Sequence, residues 1–155
     1  MASHQRSIAI AFLDTFKDLD LESNLALRTP DCVHTIVPTT LSFTPRMSNE
    51  IRGAHLLSLK KKTSELPVTP KAILEGGNLV TIWATSKATF REEAKDEDLT
   101  VDWSYEGEYI FVLTFNQADY KIQHILEFID STKVEKVQVL LQRAEHNLAA
   151  KTDEI

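Results

Sequence analysis

Apolar residues recur every three or four positions near the start of the chain. Ile8, Phe12, Phe16 and Leu19 line up, with Ala9 and Leu13 widening the stripe, so the spacing predicts an amphipathic helix capped by Ser3 or Ser7. Asp20 opens a shorter helix, Leu21 to Arg28, with Leu21 and Leu25 inward. Thr29-Pro30 ends it, because the residue before proline is driven out of helical backbone. Cys32 to Val37 is rich in β-branched residues and reads as a strand. A third helix begins at Ser48 and runs to about Ser64, with Ile51, Ala54, His55 and Leu59 on one side. Lys60, Lys61 and Lys62 complement the negative end of its dipole from a solvated face.

The pattern then changes to period two. Pro67 and Pro70 bracket the entry to a strand over Val68 to Glu75, and Gly76-Gly77-Asn78 supplies the residues a hairpin turn needs. Leu79 to Phe90 is a long strand with Val80, Ile82, Ala84 and Ala88 on one parity and Trp83 on the other. Trp103 to Phe115 alternates sharply: Tyr105, Tyr109, Phe111, Leu113 and Phe115 share one face, Glu106, Glu108, Ile110 and Val112 the other. After a turn at 116–119, Tyr120 to Asp130 reads as a strand apolar on both parities, with Glu127 beside Ile125 and Ile129, and His124 beside Ile122, Leu126 and Phe128. Asp130 or Ser131 caps a last helix whose seam is Val134, Val137, Leu141, Ala144 and Leu148.

Helices gathered before a run of antiparallel strands predict an α+β fold with helices covering one face of a curved sheet. Nothing in the pattern breaks the chain, so residues 1–150 form one expected domain and 151–155 a frayed tail. Strands apolar on both faces call for cover on both, and a symmetric homodimer is the expected supplier of the second cover. Burial of Glu127 is expected to raise its pKa, and burial of a histidine to lower its own. The segment Pro38–Met47 holds two of the five prolines and no periodicity, as a lid or binding loop would.

Charge and composition narrow the function classes. The formal net charge of −6 leaves no broad basic surface, so no nucleic-acid partner is expected. No apolar run approaches the roughly 20 residues that span a bilayer, and the N-terminus is not a signal peptide, so a cytoplasmic location is expected. Cys32 is a lone cysteine, which excludes an intrachain disulfide. Scattered histidines and the absence of a glycine-rich phosphate loop lead to the expectation of no metal and no cofactor. The acidic segment Arg91–Asp102 lacks calcium-loop spacing and reads as a solvated hairpin loop.

Several segments in order, namely Arg28-Thr29-Pro30-Asp31-Cys32-Val33-His34, Met47-Ser48-Asn49 with His55, Leu66-Pro67-Val68-Thr69, Trp83-Ala84-Thr85-Ser86, Tyr105-Glu106-Gly107-Glu108-Tyr109, and Lys121 through Ser131, resemble fungal SnoaL-like proteins of the nuclear transport factor 2-like superfamily. The resemblance runs from about residue 5 to 135. It implies a cone-shaped, mostly antiparallel sheet wrapped around the N-terminal helices, with a hydrophobic pocket inside and a homodimer through the sheet's outer face. It also implies cofactor-free acid–base chemistry of a cyclase or isomerase on a polyketide or meroterpenoid intermediate. Non-catalytic binding modules and dehydratases share the fold, and both readings stay open.

Three side chains are candidates for the chemistry. His34 shares a strand face with Cys32 and Ile36 and can carry a proton near neutrality. His55 lies on the helix expected to wall the cone. Glu127, flanked by apolar neighbours, is the carboxylate partner. A base in this set would take a proton next to a carbonyl while an acid protonates the developing enolate or alkoxide. Trp83, Tyr105 and Tyr109 are the expected aromatic wall for a hydrophobic small-molecule substrate, with Glu108 as a further substrate contact and reserve acid.

Overall fold

The structure, a computed structural model, describes residues 2–41 and 46–153. Helix α1 (His4–Asp14) is followed by α2 (Leu21–Ala26), strand β1 (Arg28–Val37), a short β2 (Arg46–Met47) and α3 (Asn49–Lys62). Strands β3 (Thr63–Glu65), β4 (Val68–Gly76), β5 (Leu79–Phe90), β6 (Tyr105–Phe115) and β7 (Ile122–Ile129) follow, and α4 (Ser131–Asp153) completes the fold. The sheet is curved, open and mixed, in the order β2-β1-β7-β6-β5-β3, with β4 also on β5. All described pairings are antiparallel except one: β1 runs parallel to β7, with Ile36 opposite Glu127. Much of the intervening chain forms the crossover between these two strands.

Helix α1 packs on the concave face because its stripe is continuous and well capped. Ser3 Oγ accepts from Arg6 N–H at 3.0 Å, and Ala9, Phe12 and Leu13 are buried against Val80, Ile82, Phe111, Leu113 and Ile125. Removing a phenylalanine such as Phe12 from this contact would cost about 3–5 kcal/mol. The stripe continues through Phe16 and Leu19, both buried, but the regular helix ends at Asp14 and Leu19 adopts φ 53°. A polar loss is answered locally: Thr15 Oγ1 donates to the Phe12 carbonyl at 2.7 Å.

Helix α3 presents a different face from the one its apolar spacing suggests. Ser48 caps it by accepting from Ile51 N–H, yet Gly53, Leu56 and Lys62 are its buried residues, while Ile51 is 42% exposed. Gly53 faces α2, where a Cβ would make ordinary van der Waals contact with Leu21 and Leu25. Lys62 is not on a solvated face: its ammonium donates to Ser58 Oγ and pairs with Glu145 of α4 at 3.2 Å. The acidic segment after β5 is likewise docked. Arg143 of α4 clamps Asp96 and Asp98, holding the Asp96 carboxyl down at about 2.

Asp130 caps α4 by accepting from Thr132 and Lys133 N–H. The helix covers the far end of the sheet, burying Leu140 and Ala144 against Ala88, Phe90 and Tyr105. It stays helical through Asp153, and Lys151 donates to the Glu93 carbonyl at 2.8 Å, so the expected frayed tail is ordered up to that point. Residues 154–155 lie outside the described residues, as does the central part, 42–45, of the expected lid. Among the described residues no helix is long and apolar enough to cross a membrane.

Candidate active site

Strands β1, β6 and β7 turn their inward side chains toward α3 and α4 and enclose a cavity of about 250 Å³. Its walls are mostly apolar: Phe16, Ile36, Leu59, Leu66, Val68, Phe111, Ile129, Val134, Val137 and Leu141 contribute. The polar groups that reach it include Arg52, His55, Tyr105, Tyr109 and Glu127. An apolar hollow with a few convergent polar groups is the form small-molecule sites take.

At its floor, His34 Nε2 lies 2.6 Å from Glu127 Oε2, both side chains being buried. The parallel register of β1 on β7 makes this pair, because His34 and Glu127 project from adjacent strands to one face. The other imidazole nitrogen, Nδ1, faces Arg28 Nη1 at 3.4 Å. A guanidinium only donates, so Nδ1 is the acceptor and the proton resides on Nε2, aimed at the carboxylate. Arg28 is held in turn by Asn24, whose Oδ1 accepts from Nε and Nη2 at 3.1 and 2.7 Å, while Asn24 Nδ2 donates to Thr15 Oγ1 at 2.8 Å. A line of buried polar groups thus runs Thr15–Asn24–Arg28–His34–Glu127, each satisfied by the next. The Arg28 guanidinium also lies 5.8 Å from the Phe12 ring centroid.

This line fixes protonation states. Burial, with the Arg52 charge beside it, pushes the His34 pKa down to about 3 despite the bond to Glu127, so the imidazole is neutral. Burial alone would raise Glu127, but the His34 hydrogen bond and the charges of Arg52 and Arg28 outweigh it and leave its pKa below the usual value. The expectation of a raised carboxylate pKa is therefore corrected: burial loses to a donor and two guanidinium groups. Glu127 is the ionised group and His34 its neutral orienter, which itself does not line the cavity. His55 does line it but is exposed to solvent, its pKa lowered by partial burial and by Arg52.

Two tyrosines continue the wall on the neighbouring strand β6, where Phe111 is opposite Glu127 and Tyr109 opposite Ile129. Tyr109 Oη and Ser86 Oγ are 2.8 Å apart, and Tyr105 Oη lies 3.4 Å from Tyr109 Oη. Burial raises the pKa of both tyrosines, so both remain donors at neutral pH. Three hydroxyls joined by two contacts leave one hydrogen unclaimed. Gly107 makes room for this arrangement, since a Cβ there would collide with Tyr109 Oη and stand 2.7 Å from Ser86 Oγ.

Trp83 and Glu108, expected in the substrate wall, are on the other side of the sheet. Trp83 Nε1 donates to Glu108 Oε1 at 2.8 Å on the outer face, beside Ile110 and Phe128. The parity that brings Tyr105, Tyr109 and Phe111 inward necessarily turns Glu108 and Ile110 outward. Trp83 is opposite Ile110 in register and shares its face. These residues line a shallow groove of about 430 Å³ on that face. Arg28, Asn24 and Arg52 are the residues that sequence reasoning missed. The only hint was charge at positions otherwise framed by apolar neighbours: Arg28 beside Leu27, and Arg52 next to Ile51 and Gly53. Among the described residues no group of three or more His, Cys, Asp or Glu side chains could hold a metal ion.

The curved open sheet over N-terminal helices, with its C-terminal helix, is a nuclear transport factor 2-like fold. No family model matches the chain. In sequence it is similar to the austinoid biosynthesis clusters protein F of Emericella nidulans, 28% identical over 133 residues, or 84% of this chain and 71% of that protein. It is also similar to the austinoid biosynthesis clusters protein H of Penicillium brasilianum, 27% identical over 123 residues, or 79% of this chain and 80% of the other. Among solved structures, PrhC from Penicillium brasilianum superposes with a TM-score of 0.76 at 17% identity, covering 94% of both chains. BvnE pinacolase from Penicillium brevicompactum also gives 0.76, at 21% identity over 91% of this chain and 96% of that one. The chain therefore resembles the fungal SnoaL-like proteins of this fold.

Proposed function

We propose that this chain is a cofactor-independent acid–base enzyme, an isomerase or cyclase acting on a polyketide or meroterpenoid intermediate in fungal secondary metabolism. The observation that carries the reading is an ionised Glu127 at the wall of an apolar cavity, oriented by a neutral imidazole 2.6 Å away. Its similarity to proteins named for austinoid biosynthesis supports a substrate from secondary metabolism. The Glu127 carboxylate takes a proton from carbon next to a substrate carbonyl, and the electron pair moves onto the carbonyl oxygen as an enolate. A hydroxyl of the Tyr105–Tyr109 pair donates a hydrogen bond to that oxygen as its charge grows. Reprotonation at another position, or attack of the enolate carbon on a second carbonyl held by the same walls, completes isomerisation or ring closure. General-base action of this kind contributes typically 10²–10⁴-fold in rate.

The enzyme works as a homodimer in this reading. Trp83, Ile110 and Phe128 are 45%, 37% and 49% exposed on one strip of the sheet's outer face, an apolar surface that a second copy would cover.

The test is to remove the gene from its host, isolate the compound that accumulates and incubate it with the protein. A product of unchanged mass and altered connectivity is expected. Loss of one water would make it a dehydratase, and tight binding without any chemical change would make it a binding module.

A further inference from the structure

Arg52 contributes a positive charge to the cavity and shares, together with Arg28, one carboxylate among the described lining residues. Its side chain is 12% exposed, its Nη2 is 3.8 Å from Glu127 Oε2, and its Nε has no hydrogen-bond partner among the described residues. Arg28, nearby, carries a second positive charge. Against these two, Glu127 is the single carboxylate among the cavity's described lining residues, and it already accepts from His34. His34 is neutral, and the Cys32 thiol, its pKa raised by burial, is neutral as well. Buried charges are ordinarily paired and hydrogen-bonded, so one surplus guanidinium at the cavity wall is an unfilled half of an ion pair.

We infer that the cavity takes a ligand bearing an anionic oxygen group, a carboxylate or an ionised enol, gripped by the guanidinium of Arg52 where it lines the cavity. The planar guanidinium presents donors along one edge at the spacing of two oxygens, which an ammonium does not. The apolar walls at Val134, Val137 and Leu141 hold the carbon skeleton, and Arg52 sets which end of it lies against Glu127. Arg52 is thus a specificity residue for the acid–base site proposed above, and the inference rests on the cavity being the substrate site.

Binding of simple probes tests it without knowledge of the natural substrate. Calorimetry at pH 7 and low salt would compare 2-naphthoate (a carboxylate), 2-hydroxy-1,4-naphthoquinone (an ionised enol) and neutral 2-acetylnaphthalene, with NMR shifts of Val134 and Val137 locating them. At least one anion is expected to bind tenfold or more tightly than the neutral probe, and the stronger anion names the source. Arg52→Gln is expected to erase that ratio while leaving affinity for the neutral probe within about twofold. Arg52→Lys, which keeps the charge and loses the planar edge, is expected to fall between. Equal affinity for all three probes in the cavity, or a ratio that survives Arg52→Gln, overturns the anion preference and leaves the acid–base reading standing. No binding of any probe in the cavity contradicts both.

Discussion

His34 and Glu127 meet at 2.6 Å across 93 residues of sequence, joined by the parallel pairing of β1 and β7. That bond settles which of the two is charged. Arg28 faces the far side of the imidazole and Arg52 stands beside the carboxylate, so the negative charge resides on Glu127 and the proton on His34 Nε2. The strand pairing, not local sequence, makes the pair.

Stability is expected to fall on acidification well above the range in which ordinary carboxylates titrate. The His34 pKa is lowered from 6.5 to about 3 by burial and by Arg52 and Arg28, so the unfolded chain binds a proton that the native one refuses. The stability from this group is complete above 6.5 and declines as pH falls from there toward 3, at about 1.4 kcal/mol per pH unit. Glu127, also lowered, adds a loss of the same sign below its usual 4.5. Urea denaturation midpoints between pH 8 and 4 check this, and His34→Gln is expected to flatten the upper part of the slope.

The pH–rate profile is expected to be flat through neutrality. Glu127 is ionised above its lowered pKa, so kcat/KM should hold from pH 8 down to about 5 and drop only below the usual carboxylate value of 4.5. An acid limb just below 6.5 that vanishes in His55→Ala would instead give the base role to His55.

Gly107→Ala is expected to damage the tyrosine wall more than the fold. The new methyl would displace Tyr109 Oη and part it from Ser86 Oγ. Crowding of this kind costs about 1–3 kcal/mol, and kcat should fall more than KM rises because the lost hydrogen bond is to a developing oxyanion. Thermal melting and steady-state kinetics on the same sample read the two effects.

Trp83→Arg is expected to convert a dimer to a monomer. The indole sits in the exposed strip with Ile110 and Phe128, and a charge there would repel a second copy placed face to face. Sedimentation velocity measures the change, while cavity ligands should bind as before, since Trp83 and the cavity are on opposite faces.

Much of the fold was readable from periodicity. Strand β5 runs over Leu79–Phe90 as its alternation predicted, and the parity of Tyr105, Tyr109 and Phe111 was set by the pleat. What was not readable depended on contacts remote in sequence. Strand β3 is only Thr63–Glu65 and exists because β5 accepts it. The inward face of α3 carries Gly53, Leu56 and Lys62 and is set by its packing on α2 and α4, not by the apolar count that favoured Ile51. At the site, Glu127 and the two tyrosines were visible as polar groups on buried faces. Trp83 was assigned to the cavity as part of an aromatic wall, although its parity opposite to Val80, Ile82 and Ala84 already argued for the outer side. Arg28 and Arg52 were invisible because a buried arginine is recognised by its partners, Asn24 and Glu127, rather than by its neighbours in sequence.

The rate of Glu127→Gln on the compound that accumulates without the protein is the most direct measurement of the whole account. The amide keeps the shape and still accepts a hydrogen bond from His34, but cannot take a proton. A fall in kcat/KM of about 10²–10⁴-fold with the fold intact is the predicted result. Turnover within about threefold of the native enzyme would contradict a carboxylate base at this position.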